Sequence, residues 1–428
     1  MRFSLLIIML VWSCGIMFAR TLKPSTTKPR VLISTDIGGT DPDDNQSMAH
    51  LLMYNNLFDL EGLVSSPSFG DGSVDEILRM IALYEQDYAR LCAHQTGFLS
   101  PDSLRAICKQ GRRGTAPWVG YTTSTEGSDW IIRCARRSSD RPLWILVWGG
   151  LEDLAQALHD APEIRHNIRV YWIGGPNKKW SVNSYAYIAA NFPDLWFIEN
   201  NASYRGFITD SKKNDSYHKG YYDAYIRGAG ALGKDFIQYY NGMVKMGDSP
   251  SLFYLMKGTP DNPDAVSWGG SFEPLRYSSR VIIHGIQQNR CDTVPVYSVV
   301  EFRLQGPQIT MPVDSACIIL HIDHQNWNGY YCGNGQYIVR YAPKAPATLD
   351  YKITSSIKNF PSMRGVLVVS PKWPGENRAD SDYQMGEHWY SDRHEPYLFQ
   401  GVWQGAQTIA MWREEILDDW SVRLSWLK

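Results

Sequence analysis

Four aspartates crowd one turn near the amino terminus. In STDIGGTDPDDNQS (34–47), Asp36, Asp41, Asp43 and Asp44 fall within nine positions. Like charges this close repel one another, whereas calcium binds about six to eight oxygen ligands, many of them carboxylates. Helix capping is the alternative explanation, because a helix amino terminus stabilises one or two carboxylates. A calcium site accounts for more of the aspartates, so the cluster predicts one.

The residues on either side of the aspartates predict the elements that hold them. RVLIS (30–34) is a short apolar run rich in β-branched residues, which indicates a buried strand. DDNQSMAHLLMY (43–54) has apolar residues at roughly helical spacing. The acidic turn therefore joins the carboxyl end of a strand to the amino end of a helix, where ligands bind in open α/β sheets. Gly38 and Gly39 allow the turn to close tightly.

Strand-like and helical stretches alternate from residue 31 to about 275. The patterns predict strands at 59–66, 142–150, 168–175 and 194–201, and helices at 73–91 and 151–162. This βα alternation predicts an α/β domain with a mostly parallel central sheet and helices on both faces.

The pattern changes near residue 277, where short strand-like runs are separated by Gly, Pro and Asn. This block predicts a small β-sandwich-like domain. Residues 405–428 have an amphipathic helical pattern, and we expect that helix to pack on the α/β domain. The expected organisation is an α/β domain at 25–276, a β-sandwich-like insert at 277–370 and a closing segment of the α/β domain at 371–428.

Composition indicates a packed protein with no bulk attraction for polyanions. Hydrophobic residues make up 44% of the 428 residues, and the net charge is −2. That balance gives no electrostatic indication of binding to nucleic acid or to a membrane surface. The 16 Trp and 25 Tyr residues fit core packing or stacking surfaces for sugars or bases.

Residues 1–19 have the basic start, short apolar run and small residues of a signal peptide. VWSC, ending at Cys14, is also compatible with a lipoprotein cleavage site and a lipid anchor. We therefore expect export to the periplasm, anchoring at the outer membrane as a lipoprotein, or secretion. No later stretch is long and apolar enough to span a bilayer, so no transmembrane segment is expected.

Six cysteines follow Cys14, and none of them forms a CxxC pair, which argues against a zinc site. In an oxidising compartment, Cys317 and Cys332 are close enough in sequence to form a disulfide. Free buried thiols are the alternative.

The segment TDIGGTDPDDNQSMAHLLMYNNLFDLEGLVSS (35–66) resembles the start of nucleoside hydrolases, which read D-T-D-x-G-x-D-D. It is more similar to the nucleoside hydrolase-like domain of exported bacterial cellulose-binding proteins. Further stretches agree in order and spacing: LVWGGLEDLAQAL, YWIGGPNKKWSVNSYAYIAANFPDLWFIEN, GDSPSLFYLMKG, SWGGSFEP and HWYSDRHEPYL. The resemblance covers about 31–275 and the closing segment, and it implies the nucleoside hydrolase-like α/β fold.

The resemblance also implies roles for individual residues. The calcium ligands would be the side chains of Asp36, Asp44 and Asp248 and the backbone carbonyl of Trp148. Asp43 would bind a sugar hydroxyl, and Asp36 would also take a proton from the attacking water. Two further candidates for sugar binding are Asn177 and Asn183.

This sequence departs from the hydrolase pattern where the leaving group would be handled. Gly247 stands where the hydrolases often carry the His that protonates the leaving base, and Ser181 stands where a ribose-binding Glu would be. The expected activity is calcium-dependent hydrolysis of an N-riboside or related furanoside by a metal-held water. The alternative is a carbohydrate-binding protein, specific for cellulose or another polysaccharide, with little or no turnover.

Other polar residues have structural interpretations that we favour. His321, Asp323 and His324 fit a surface or core role better than a second metal site. Glu152 and Asp153 begin a predicted helix and fit a capping role.

Overall fold

The structure is a computed structural model that describes residues 28–208, 219–285, 287–373 and 378–428. The expected signal peptide and Cys14 lie outside the described residues. None of the helices in the described ranges combines the length and the apolar character needed to cross a membrane.

The secondary structure alternates between strands and helices up to residue 256 and is then almost entirely β until residue 392. The strands are β1 (Arg30–Thr35), β2 (Asp59–Ser65), β3 (Cys108–Gln110), β4 (Leu143–Val147), β5 (Ile168–Ile173), β6 (Trp196–Asn200), β7 (Phe272–Pro274), β8 (Tyr277–Ser278), β9 (Arg280–His284), β10 (Arg290–Pro295), β11 (Val299–Gln305), β12 (Ala316–Ile322), β13 (Gln325–Gly333), β14 (Gln336–Tyr341), β15 (Ala347–Ser355), β16 (Met363–Ser370), β17 (Tyr383–Gln384) and β18 (Trp389–Asp392). The α-helices are α1 (Asp43–Tyr54), α2 (Val74–His94), α3 (Pro101–Ala106), α4 (Glu126–Ala135), α5 (Glu152–Asp160), α6 (Gly175–Trp180), α7 (Val182–Asn191), α8 (Lys219–Tyr221), α9 (Gly230–Asp235), α10 (Ser249–Met256), α11 (Gln407–Ala410) and α12 (Arg413–Ser425).

The central sheet has the strand order β3-β2-β1-β4-β5-β6-β18-β7. All neighbours are parallel except β18 and β7 at one edge. The carboxyl ends of β1, β2, β4, β5, β6 and β18 therefore meet along one edge of the sheet. The predicted parallel α/β architecture is confirmed.

Helices cover both faces of this sheet, because its strands are apolar on both sides. Val31 and Ile33 of β1 join one core with residues of α1, α2, α10 and α12. Leu32 faces the opposite core, with residues of α4, α5 and α7. Successive side chains of a strand point to opposite faces of the sheet, so a strand covered on both faces contributes alternately to the two cores.

Residues 280–370 form the β-rich domain. Its strands make one continuous ladder in the order β10-β16-β15-β12-β13-β14-β11-β9. The end strands β9 and β10 are joined by a short connection, and the Arg290 guanidinium donates to the His284 carbonyl at 3.4 Å. The ladder therefore curls until its ends lie close, and its inner face encloses one core that includes Ile283, Val294 and Phe302. The prediction of a β-rich second domain is confirmed.

The closing segment returns to the α/β domain. Strand β18 pairs with β6 and β7 in the central sheet. The helix expected at 405–428 is divided into α11 and α12. In α12, Trp420 is fully buried, and its ring lies 5.6 Å from those of Tyr221 and Phe236.

The turn between β12 and β13 docks the β-rich domain onto α6. The Lys179 ammonium lies 2.7 Å from an Asp323 carboxylate oxygen and 2.7 Å from Oε1 of Gln325. Both ring nitrogens of His321 are hydrogen-bonded within the domain, to Asn326 and Thr354. These contacts give His321 and Asp323 a structural role, which is the interpretation that the sequence analysis favoured.

The cysteines of the described residues are free thiols. The disulfide considered between Cys317 and Cys332 is therefore not formed. Cys317 instead belongs to the core of the β-rich domain, which holds it as a small apolar side chain.

Candidate metal centre

The acidic turn lies at the carboxyl edge of the central sheet, between β1 and α1. The residue before α1 is Pro42, so none of the four aspartates is the helix cap; Asp43 and Asp44 occupy the first helical turn instead. Neither Asp43 nor Asp44 is therefore explained as a side-chain cap of α1. The helix dipole still favours negative charge at this end of the helix.

Three carboxylates converge at this edge. Oxygens of Asp43, Asp44 and Asp248 all lie within 4.8 Å of one another. Asp248 precedes α10 and is 3% exposed, and its Oδ2 has no hydrogen-bond partner among the described residues. One oxygen of Asp44 accepts a hydrogen bond from the Thr35 hydroxyl. A buried carboxylate oxygen without a donor is costly, and a bound cation removes that cost.

Asp36 adjoins this group from the end of β1. Asp44 and Ser68 lie close enough to its carboxyl to lower its pKa against the larger, raising effect of burial. Gly149, next to Trp148, packs so closely on Asp36 that an added Cβ would lie 2.8 Å from the Cβ of Asp36. The peptide that carries the Trp148 carbonyl therefore borders the aspartate group.

Asn177 links this edge to the strand loops. Its Nδ2 donates to the Trp148 carbonyl at 3.4 Å and to the Ile173 carbonyl at 3.0 Å, and its Oδ1 accepts from the Ser68 hydroxyl at 2.7 Å. Asn177 therefore holds Ser68, a neighbour of the Asp36 carboxyl, at this edge.

Asn183 lies elsewhere. Its Nδ2 donates to the Ala116 carbonyl at 3.0 Å, and its Oδ1 accepts from Arg340 of the β-rich domain. The structure thus brings Asn177 but not Asn183 into the aspartate network. The predicted role of Asn183 in sugar binding has no support from these contacts.

Burial dominates the electrostatics of the aspartates. It raises the pKa of Asp36 to about 6 and the pKa of Asp43 to about 7. It also raises the pKa values of Asp44 and Asp248 well above their ordinary value, and the neighbouring carboxylates raise them further. Without a cation, the group therefore favours protonation.

Lys245 is a residue of this site that the sequence did not indicate. Its ammonium lies 2.6 Å from an Asp41 oxygen and 3.2 Å from an Asp43 oxygen. Although burial lowers the pKa of Lys245, Asp43 and Asp41 raise it above its ordinary value. Asp41 itself is exposed and is also hydrogen-bonded by Tyr240. No spacing rule connects a lysine two hundred residues away with the acidic turn.

Gly247 packs directly on the aspartates. A Cβ at this position would overlap Oδ2 of Asp43. In this arrangement a side chain at position 247 requires Asp43 to move, so the glycine is part of how the carboxylates are packed.

The two acidic residues that begin α5 do not act as caps. Asp153 accepts hydrogen bonds from the Arg112 backbone N–H and the Thr125 hydroxyl, and it holds the loop before α4. Glu152 accepts from the Ser181 hydroxyl at 2.9 Å, and burial raises its pKa to about 8. The capping prediction is wrong, because loops that pass over the sheet edge compete for these carboxylates.

The donor set suits a hard cation. It consists of carboxylate oxygens with a backbone carbonyl at its border, and calcium takes oxygen ligands of these kinds. The unpartnered Oδ2 of Asp248 fits the same conclusion. The ligand assignment stays a prediction: the side chains of Asp36, Asp44 and Asp248 with the Trp148 carbonyl, and Asp43 turned to substrate. The group whose carboxylate oxygens lie within 4.8 Å of one another consists of Asp43, Asp44 and Asp248, and Asp36 lies beside Asp44.

Two family models match the chain. One, described as the nucleoside hydrolase-like domain of cellulose-binding Sde182, matches residues 30–272, which is more than half of the chain. The other, a domain of unknown function (DUF5060), matches residues 293–356 within the β-rich domain. None of the curated proteins matches the chain.

Solved structures with related folds have low sequence identity. A nucleoside hydrolase-related hypothetical protein from Saccharophagus degradans, associated with carbohydrate metabolism, is 18% identical; the match covers 80% of this chain and 100% of that chain, with a TM-score of 0.48. An inosine-uridine preferring nucleoside hydrolase from Bacillus anthracis is 13% identical, covering 59% of this chain and 87% of that one, with a TM-score of 0.37. A purine-preferring ribonucleoside hydrolase from Gardnerella vaginalis is 12% identical, covering 58% and 84%, with a TM-score of 0.35.

Proposed function

The chain belongs to the cellulose-binding Sde182 nucleoside hydrolase-like family, and from that premise we propose that it is a calcium-dependent glycosyl hydrolase. The proposed substrate is an N-riboside or a related furanoside. We further propose that residues 1–19 direct export, which would bring the protein to extracellular or periplasmic glycosides.

The observation that carries the proposal is the convergence of Asp43, Asp44 and Asp248 within 4.8 Å. The buried carboxylates of Asp44 and Asp248, with the half-buried Asp43 beside them, oppose folding unless something compensates their charge. A calcium ion is the compensation that the donor set favours, because every donor is an oxygen.

The residues around this point support the proposal by offering a base and sugar contacts for glycoside hydrolysis. Calcium bound there would supply a positive charge that favours loss of a proton from water and orients sugar hydroxyls. Asp36, at the end of β1 and beside the carboxylate group, is the proposed general base. Asp43 is 15% exposed in its side chain and is the carboxylate that a sugar hydroxyl can reach. Asn177 holds the loop of Ser68 against the site.

A carbohydrate-binding protein with little turnover is the second candidate. Gly247 favours it, because this position has no side chain to protonate a leaving base, and a side chain there would require Asp43 to move. General acid help is typically worth about 10²–10⁴-fold in rate, so its loss matters for a poor leaving group.

The test measures release of nitrophenol from a nitrophenyl riboside with calcium and with a chelator. The hydrolase proposal expects turnover that the chelator abolishes and that Asp36→Asn lowers by at least about 10²-fold, the contribution of a general base. Asp41→Asn, on the exposed side of the turn, is the matched control and should retain activity. Calcium-dependent sugar binding without any turnover would favour the second candidate.

A further inference from the structure

A separate cavity of about 560 Å³ lies at the edge of the central sheet opposite the metal centre. The amino ends of β1, β4, β5 and β6 meet at this edge. The wall of the cavity includes the first residue of each strand or the residue just before it: Arg30, Pro142, Ile168 and Trp196. The volume falls in the range of about 300–1,000 Å³ that small-molecule sites occupy.

The wall of this cavity is strongly cationic. Two aspartates line it, Asp140 and Asp194, against six arginines: Arg30, Arg136, Arg137, Arg141, Arg165 and Arg169. The net charge of −2 for the whole chain conceals this local excess of positive charge. A concave surface lined mainly by one sign of charge concentrates ions of the opposite sign, which here are anions.

The carboxylates that pair with these arginines are mostly not part of the wall. Among the described residues, Asp194 is the one partner that lines the cavity. Glu61 pairs with two of the arginines, with Arg30 at 2.6 Å and with Arg137 at 3.1 Å. The side chain of Glu61 is 5% exposed and that of Arg137 is 63% exposed, so the cation is the group that a ligand can reach.

The guanidinium groups keep hydrogen-bond donors that the protein does not use. Arg165 donates through Nε to Asp194 and through Nη1 to the Pro162 carbonyl, both at 2.9 Å, and its Nη2 makes no hydrogen bond within the described ranges. Arg169 donates to Asp261 through Nη1, and its guanidinium lies 5.2 Å from the centre of the Trp196 ring, which holds it in place. Planar guanidinium groups with free N–H donors bind the oxygens of a phosphate in pairs.

The chain enters the fold at the rim of this cavity. Arg141 donates to the Lys28 carbonyl, and Arg30, two residues further on, lines the wall. Residues 20–35 contain no acidic residue and four basic ones, namely Arg20, Lys23, Lys28 and Arg30. The sequence that leads into the cavity therefore has the same sign of charge as its wall. Basic segments of this kind are attracted to anionic lipid headgroups.

We propose that this arginine-lined cavity binds phosphate groups, and that the headgroups of an anionic lipid surface supply them. A lipid surface offers phosphates to the cavity and to the basic sequence before β1 at once, whereas a free phosphate compound fills the cavity alone. Bound in this way, the amino edge of the central sheet faces the lipid. The metal centre, at the opposite edge, then faces away from it and stays open to dissolved substrates.

The test is co-sedimentation of the full chain with vesicles of phosphatidylglycerol and phosphatidylcholine, compared with vesicles of phosphatidylcholine alone. We expect binding to the anionic vesicles only, and we expect Arg137→Gln and Arg169→Gln each to weaken it about fivefold, the usual contribution of one basic residue near an anionic surface. Arg227→Gln is the matched control, because its side chain is 64% exposed and ion-paired but lies outside the cavity. Asp44→Asn, which damages the metal centre, should leave vesicle binding unchanged.

Thermal unfolding checks that each variant is folded. Arg137→Gln should fold normally, because Glu61 keeps Arg30 as its partner, and Arg169→Gln releases an Asp261 side chain that is 78% exposed.

Calorimetric titration with pyrophosphate separates the two sources of phosphate. Pyrophosphate binding that Arg137→Gln weakens, with no binding to anionic vesicles, would overturn the lipid source and support the phosphate site. The whole proposal is overturned if neither probe binds. It is also overturned if Arg227→Gln weakens vesicle binding as much as Arg137→Gln does, because binding would then follow total charge and not the cavity. A failure of riboside hydrolysis alone would contradict the hydrolase proposal and leave this one standing.

Discussion

Replacing Asp248 with asparagine should stabilise the metal-free protein while removing its response to calcium. The carboxylate oxygens of Asp43, Asp44 and Asp248 lie within 4.8 Å of one another. At an effective dielectric constant of about 20, two ionised carboxylates at that distance repel by about 3 kcal/mol. Protonation and the Lys245 ammonium relieve part of this repulsion. We therefore expect about half of it to be recovered in Asp248→Asn.

A stabilisation of about 1.5 kcal/mol raises Tm by about 2–3 °C for a domain of about 300 residues. The asparagine amide can also donate to a neighbouring carboxylate, which the Asp248 side chain cannot do when ionised. Wild-type protein, in contrast, should gain about 3 kcal/mol when calcium is present at about one hundred times its Kd. Asp248→Asn should lose that gain, because a neutral amide is a much weaker calcium ligand.

The pH dependence of stability gives a second measure of the cost of holding ionised carboxylates in this site. Burial raises the pKa of Asp36 to about 6 and that of Asp43 to about 7 in the folded protein, whereas both titrate near 3.8 when unfolded. Below pH about 4 both states are protonated, and the site costs nothing. Between pH 4 and 7 the unfolded chain ionises first, so metal-free stability falls as pH rises and then levels off. Calcium stabilisation should grow across the same window, because binding requires ionised carboxylates.

The assay is differential scanning calorimetry from pH 4 to 8, with calcium and with a chelator. Asp41→Asn is the control: Asp41 is exposed, and a surface ion pair contributes only about 0–1 kcal/mol. That variant should keep the wild-type calcium response. The reasoning is refuted if Asp248→Asn lowers the metal-free Tm and still gains the full calcium increment, or if calcium leaves the wild-type Tm unchanged at pH 8.

Three further predictions concern position 247, the leaving group and a buried ion pair. Gly247→His should not restore hydrolysis of inosine and should weaken calcium affinity at least about tenfold. Its Cβ would overlap Oδ2 of Asp43 and disturb the carboxylate group. Faster inosine hydrolysis by this variant would contradict the packing argument. Wild-type protein should hydrolyse a nitrophenyl riboside at least about 10²-fold faster than inosine or uridine, since no side chain at 247 can protonate a base; equal rates in the same steady-state assay would mean that another acid acts. Lys178→Met should lower the free energy of unfolding by about 3–5 kcal/mol in a denaturant titration, because Lys178 and Glu199 form a fully buried pair at 2.6 Å and the change leaves Glu199 uncompensated. Arg136→Met, whose partner Glu163 is exposed, is the control and should cost less than about 1 kcal/mol.

Local features of this protein could be predicted from the sequence because they depend on neighbouring residues. The apolar run ending at Ser34 predicted β1, and the period after Asp43 predicted α1, which begins there. The strand predicted at 168–175 is observed as β5, and the helix predicted at 73–91 as α2. Alternating runs of this kind determine period and burial, so they were sufficient for the fold class.

The outcome was different wherever two distant parts of the chain compete for one partner. Glu152 and Asp153 had the position of helix caps, yet Ser181 and Arg112 bind them, because the strand order brings those loops to the same sheet edge. The considered pairing of Cys317 with Cys332 failed for the same kind of reason: the core of the β-rich domain takes Cys317.

The sequence by itself determined the acidic turn, the parallel α/β architecture and the β-rich block, since each rests on residue types at short spacing. Asp248 was connected with that turn only through a family resemblance, and Lys245 was not connected with it at all. Tertiary structure alone decided that Lys245 neutralises Asp43, that Gly247 packs on the same carboxylate, and that Arg30, Arg137 and Arg169 share a cavity. These contacts join parts of the chain from different elements, and their distances follow from sheet order and domain docking, which no local pattern encodes.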